Sequence, residues 1–301
     1  MSALPPLIPA RLAPPARVRP QSDQRRLRAS AARLAVGCLH AELVLYPKPG
    51  LVSLVDNGSH RDMNAATFVR SMFALRHYFA RICQAGIDDA PFAVLRQLGI
   101  EAEERMLKAT AGINTHRGAI FSLGLLAAAA GRAWAQGMPT TAPTLRANLL
   151  ISWGDALAAH TGLTEANSNG LRAAARHGAS GAREEGALGL PSVFEVGLPA
   201  LRRTLAAGRG MRCARIDALF ALMAHVSDTN VLHRGGARGA ATVREAARRF
   251  IALGGSAHPR WRANALACHE LFVARRLSPG GAADLLAATC LVHALDLMPP
   301  P

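Results

Sequence analysis

The chain has 301 residues, half of them hydrophobic, and a formal net charge of +15, so it is no disordered polymer and can bury a sizeable core. Six Arg and one Asp fall within residues 1–28, and the remaining +10 is spread over 273 residues. Charge that diffuse, with only 5% aromatic residues to stack on bases, argues against nucleic acid as partner and suits a polyanionic small molecule. Residues 1–24 hold six prolines and no apolar period and read as a flexible Pro/Arg-rich leader. From residue 25 to 301 apolar residues recur at helical spacing, as in Phe68, Met72, Leu75, Phe79 and Ile82, and again in Leu266, Leu271, Val273 and Leu277. The pattern predicts helices over 24–45, 63–86, 91–110, 117–136, 143–161, 164–178, 193–206, 213–226, 240–252, 258–276 and 280–296, with Gly137–Pro143 as a loop. No alternating apolar-polar run enriched in β-branched residues stands out, so the expected fold class is all-α, a single compact domain of about ten helices over 25–301.

Five cysteines, Cys38, Cys83, Cys213, Cys268 and Cys290, are odd in number and scattered without a C-x-x-C pair. That points away from zinc and a disulfide framework and toward a reducing cytoplasm. The longest strongly apolar uncharged stretch, Gly118 to Gly131, has 14 residues, short of the roughly 20 that span a bilayer, so no membrane is expected.

Three polar segments break the apolar pattern. The first, YPKPGLVSLVDNGSHRDM from Tyr46 to Met63, holds one of only two lysines among 35 basic residues. Pro47 and Pro49 restrict the backbone around Lys48, and Gly50 permits a turn. The loop either presents the ammonium from a stiffened support or merely ends the preceding helix with an exposed Lys. Lys is a compact charge with a tunable pKa, unlike the fixed Arg fork. The other lysine, Lys108, follows Glu104 at i+4 and reads as a solvated helix pair. Glu42 lies one turn before Tyr46 among Leu39, Leu43, Val44 and Leu45, a setting for a partly buried candidate base rather than a plain surface carboxylate. Asp62 stands where it can cap the helix expected from Met63.

The second segment, GINTHRGAIF from Gly112 to Phe121, sets Asn114, Thr115, His116 and Arg117 at the start of an apolar helix. Free N–H groups of a first turn favour anions, and His116 and Arg117 add donors and positive charge, which makes a ready phosphate site. Asn114 or Thr115 can cap the same helix. The third, SDTNVLHRGG from Ser227 to Gly236, sets Asp228 and Asn230 two apart. They can share one cation, with Arg234 facing the phosphate it neutralises, or form an Asp-Asn turn. Neither lysine follows a G-x-x-x-x-G pattern and no G-x-G-x-x-G follows a strand, so any nucleotide is bound without a P-loop or a dinucleotide fingerprint. Asp284, on the first turn of the last helix, is favoured by the helix dipole and needs no catalytic role. Histidines outside the motifs, His269 among them, read as packing or surface residues.

In order along the chain, Glu42, Pro47-Lys48-Pro49-Gly50, His60-Arg61-Asp62-Met63, NTHRGAIFSLG, DTNVLHRGG and SPGGAADLLAAT (Ser278 to Thr289) resemble the triphosphoribosyl-dephospho-coenzyme A synthase family from about Arg33 onward. The resemblance implies transfer of the 5-triphosphoribosyl group of ATP to the 2'-hydroxyl of 3'-dephospho-coenzyme A, with release of adenine. The product would be the prosthetic-group precursor for the acyl carrier protein of malonate decarboxylase, rather than that of citrate lyase. Mg²⁺ is implied as cofactor. The resemblance assigns Lys48, His116, Arg117, Arg183 and Arg234 to phosphates, Asp62 and Asp228 to the metal, and Glu42 or Glu184 to the base or the stabiliser of an oxocarbenium-like centre. Arg183-Glu184-Glu185-Gly186 resembles the family's arginine-acid segment, though adjacent charges also suit a solvated loop. Two other readings remain: a nucleotide hydrolase or phosphotransferase at the same anion site, giving ADP or AMP, and a basic helical nucleic-acid-binding protein.

Overall fold

The computed structural model describes residues 21–161 and 181–299. Among these residues it is all-α: α1 Gln21–Leu43, α2 Ala65–Leu75, α3 Tyr78–Ile87, α4 Phe92–Ala109, α5 Arg117–Ala135, α6 Ala142–Thr161, α7 Ala182–Ala187, α8 Leu198–Ala206, α9 Gly210–His225, α10 Thr229–Ala252, α11 Trp261–Ala274 and α12 Gly280–Asp296. A π-helical turn over Ser192–Gly197 leads into α8, and a 3-10 turn over Gly255–Ala257 precedes α11. The helix expected over 164–178, and residues 1–20 of the leader, lie outside the described residues.

Two helices form the centre. α5 buries nearly every residue from Ala119 to Ala130, and α12 nearly every one from Ala282 to Val292. Helices apolar on all sides must be enclosed by others. α3 packs closely on α5, and α1 lies across α3 and α12. Small residues set that approach: a Cβ on Gly86 would stand 1.9 Å from the Ala128 carbonyl oxygen, and one on Gly131 2.1 Å from that of Cys83. The 14-residue apolar stretch belongs to a helix of 19, long and apolar enough to cross a membrane, yet 78% of its apolar window is buried inside the protein.

Of the predicted stripe, Met72, Leu75, Phe79 and Ile82 are buried and Phe68 is partly buried, although the single helix expected over 63–86 is two. α2 and α3 meet at Arg76 and His77, which keep right-handed dihedrals, and nothing in the local sequence marks the break. Of the second stripe Leu277 is buried, but within α11 the buried residues are Ala265, His269 and Phe272 rather than Leu266, Leu271 and Val273, so a histidine takes a core position. The largest change is α10. It begins at Thr229, well before the expected 240, so the SDTNVLHRGG segment is helix rather than loop, with Gly236 (φ 59, ψ −160) as its kink.

Candidate active site

The buried face of α1 runs Leu27, Ala31, Ala35, Cys38 and then Glu42. A carboxylate in that register is carried inside with the stripe, 6% exposed, and requires a partner. Lys48 supplies it: the side chain is 1% exposed and its Nζ lies 2.6 Å from Glu42 Oε1. The proline-flanked loop therefore turns its ammonium into the protein, and the exposed-Lys alternative falls away. Burial pulls Lys48 below its ordinary pKa, opposed first by Glu42 and then by Asp56. The loop is pinned from outside. His269 Nδ1 donates to the Lys48 carbonyl at 3.1 Å, its Nε2 lies 3.5 Å from Asp56 Oδ1, and Arg212 Nη2 donates to the Tyr46 carbonyl at 2.8 Å. Gly50 (φ 69) approaches so closely that a Cβ would stand 2.2 Å from the Leu277 carbonyl oxygen.

The N-termini of α5, α10 and α12 meet beside this pair, and the chain's own carboxylates fill them. Asp228 caps α10 by accepting from the N–H groups of Asn230 at 2.9 Å and Val231 at 3.3 Å. Its other oxygen accepts from Ala282 of α12 at 3.1 Å, and Gly281 N–H donates as well. Asp284, one turn into α12, reaches over the start of α5, accepts the Ala119 N–H, and lies where a Cβ on Gly118 would be 2.3 Å from its Oδ2. Burial, then the Glu42 and Asp228 carboxylates, hold Asp284 well above the usual carboxylate range. Deeply surrounded yet not wholly sealed from solvent, it is a carboxyl suited to proton transfer.

His116 precedes α5, 3% exposed, with Nδ1 2.6 Å from Ser71 Oγ. Its Nε2 is buried without a hydrogen-bond partner among the described residues. Burial, and then the Lys48 ammonium, push its pKa down to about 3. It is neutral at neutral pH, which corrects the expectation that it adds positive charge for a phosphate. Arg117 turns to Glu103 of α4, and Asn114 rather than Thr115 accepts the Arg117 N–H, at 3.1 Å, while His116 holds the N-cap position with no side-chain cap.

Asp62 does not cap the next helix: Asn64 does, in a reciprocal box with Thr67. Asp62 is exposed, its Oδ1 3.5 Å from His60 Nδ1, and Arg234 joins it there by donating to His60 Nδ1 at 3.0 Å and to the Ser59 carbonyl at 3.1 Å. Asp62 and Arg234 thus share one pocket, while Asp228 belongs to the buried cluster. Four N–H groups surround the Asp228 carboxylate, Asn230's among them, and that contact is the Asp-Asn turn, the alternative to a shared cation. Glu184 is exposed and accepts the Gly181 N–H at 3.1 Å as the cap of α7. Arg183 lies on the same short helix.

A sequence profile of the CitG family, ATP:dephospho-CoA triphosphoribosyl transferase, matches residues 28–299. The chain belongs to this family. It is 40% identical over 256 residues to the probable 2-(5''-triphosphoribosyl)-3'-dephosphocoenzyme-A synthase of Acinetobacter calcoaceticus, covering 85% of this chain and 87% of that one. To the synthase of the same name from Pectobacterium atrosepticum it is 41% identical over 265 residues, 85% of each chain. To the probable synthase of Pseudomonas paraeruginosa it is 43% identical over 273 residues, 89% of this chain and 90% of that one. No solved structure matches. As a member of the CitG family the chain is an enzyme, a transferase.

Within this CitG-family chain the buried cluster includes two groups that the sequence reading set aside. Asp284 looked like an ordinary dipole partner, yet it is a charged residue in a helix apolar on every side, where an ionisable group is seldom carried without a task. His269 showed no motif, but it takes a core position on α11 and holds the Lys48 loop.

Proposed function

We propose that the chain transfers the 5-triphosphoribosyl group of ATP to the 2'-hydroxyl of 3'-dephospho-coenzyme A and releases adenine. The observation that carries this reading is Asp284, a carboxyl over the start of α5 whose pKa is raised well above the usual carboxylate range by burial beside Glu42 and Asp228. In the reaction the bond from the ribose anomeric carbon to adenine breaks, and a bond from that carbon to the acceptor oxygen forms. The leaving adenine gains a proton and the acceptor hydroxyl loses one. Asp284 suits the first task, as a carboxyl that burial and the neighbouring carboxylates make hold its proton more tightly than usual. Glu42, set against Lys48 at 2.6 Å, suits the second, and its negative charge favours an oxocarbenium-like centre. The unpartnered His116 Nε2 offers one neutral hydrogen bond to substrate. Glu184, exposed on α7, is left with its capping role.

For Mg²⁺ the two predicted ligands differ. Asp62 fits, being an exposed carboxylate beside arginines, since Mg²⁺ is commonly held by one or two carboxylates together with substrate phosphates. Asp228 does not fit, with its acceptor positions taken by N–H groups. When bound, the ion would neutralise polyphosphate charge. Five free cysteines support a reducing, cytoplasmic setting. We assign the product to the acyl carrier protein of malonate decarboxylase, a choice that rests on the sequence resemblance.

The test is mass analysis of the acceptor after incubation with ATP and Mg²⁺. Gain of a triphosphoribosyl group supports the reading, and an unchanged acceptor with ATP consumed refutes it. Loading the product onto malonate decarboxylase carrier or onto citrate lyase carrier separates the two branches.

A further inference from the structure

Helix N-termini are ready anion sites, but here those of α5, α10 and α12 are filled by Asp284 and Asp228. Moreover, His116 is uncharged and Arg117 is paired with Glu103. A triphosphate carries several negative charges, and among the described residues the cluster of Glu42, Lys48, Asp228 and Asp284 holds one cation, Lys48, which Glu42 already pairs. A group of unpaired cations beside the cluster would meet that charge.

On the outer side of the turn that starts α12 lies a pocket of about 320 Å³ whose lining includes His60, Arg61, Asp62, Arg234 and Arg276. That volume is at the low end for small-molecule sites, roughly 300–1,000 Å³, and suits a polyphosphate chain better than a whole coenzyme. Three guanidinium groups face one carboxylate. Among the described residues neither Arg61 nor Arg276 has its guanidinium in an ion pair or side-chain hydrogen bond. Arg234 can only donate, so His60 Nδ1 accepts and His60 Nε2–H donates to Ser278 Oγ at 2.8 Å. Ser278 is three residues before Gly281, which donates to Asp228; at 3.8 Å per Cα step that is about 11 Å at most. The pocket thus adjoins the buried cluster without overlapping it. Arg276 adds a second kind of evidence: it follows α11 at φ 55, a left-handed position where glycine is the usual choice, and keeps a long charged side chain there despite the strain.

We propose that Arg61, Arg234 and Arg276 form the subsite for the triphosphate of the nucleotide donor, with Asp62 beside it for the accompanying divalent cation. The assignment rests on the glycosyl-transfer reading for its substrate, but its test does not need turnover. Arg276→Gly removes the guanidinium and relieves the left-handed strain, so the fold is kept. Titration calorimetry with inorganic tripolyphosphate and Mg²⁺ should show binding weakened about tenfold by Arg276→Gly and partly recovered in Arg276→Lys. Arg275→Ala, an exposed arginine that donates to Thr242 instead, should stay within about twofold of the parent chain. In turnover, Arg276→Gly should raise KM for ATP by a similar factor and leave KM for dephospho-coenzyme A unchanged. Unaltered tripolyphosphate binding in Arg276→Gly would overturn the subsite, and a rise confined to the acceptor's KM would overturn its assignment to the donor. If tripolyphosphate binds as described while no adenine is ever released, the pocket stands and the glycosyl-transfer reading falls.

Discussion

Asp284 stands over the first N–H groups of α5 with two other carboxylates nearby, and its protonation links stability to activity. A carboxyl whose pKa is raised on folding makes the native state bind its proton more tightly than the unfolded chain does. Its contribution is fully favourable below the unfolded pKa, near 4, and is lost as pH rises toward the folded value. Asp284→Asn lacks this loss. The variant should melt like the parent near pH 4 and at higher temperature than the parent from pH 7 upward, while adenine release falls at least about 100-fold. A variant that melts lower than the parent at pH 8 would contradict the raised pKa. Lys48→Arg keeps charge but needs a wider space in a fully buried site, so turnover should fall at least about tenfold, or roughly 1.4 kcal/mol. The same change at exposed Lys108 should be near silent, and equal effects would remove Lys48 from the site. Glu42 and Lys48 were legible in sequence because one lies among leucines and the other between prolines. The neutrality of His116 was not, since it depends first on burial under other helices and then on Lys48 arriving from another segment.

At the scale of elements, glycines decide how closely helices meet. Gly118→Ala should favour α5 by helix propensity, about 1 kcal/mol, yet its Cβ would stand 2.3 Å from the Asp284 carboxylate. We expect a melting temperature within a few degrees of the parent and adenine release reduced about tenfold; full activity would show that the Asp284 position is not needed. Gly86→Ala meets backbone instead, 1.9 Å from the Ala128 oxygen, so it should lower the melting temperature by about 5 °C. Most helices could be read from apolar spacing, with Gly and Pro at their ends. α10 could not, because its polar first turns are held by the Asp228 cap and by contact with α12, and glycines at 235 and 236 looked like a loop. The register of α11 was missed for a related reason: a histidine satisfied by a carbonyl and a carboxylate can occupy a core position that a hydrophobic pattern cannot foresee.

For the whole molecule, all-α architecture followed from periodicity alone, while the convergence of three helix N-termini on one cluster is a property of tertiary packing that no single segment carries. The cluster and the arginine pocket both lie within residues 42–284. Removing residues 1–20, which supply none of the residues named in either site, should therefore leave adenine release within about twofold. A truncated chain that stays folded by circular dichroism but loses activity would make the leader part of the site. The central claim is that this carboxylate cluster breaks a glycosidic bond rather than a phosphoanhydride. It is tested most directly by chromatographic quantification of adenine, ADP and AMP during incubation with ATP, Mg²⁺ and dephospho-coenzyme A. Adenine should appear in equal amount to the modified acceptor, with no stoichiometric ADP or AMP; formation of ADP or AMP without adenine would contradict the account.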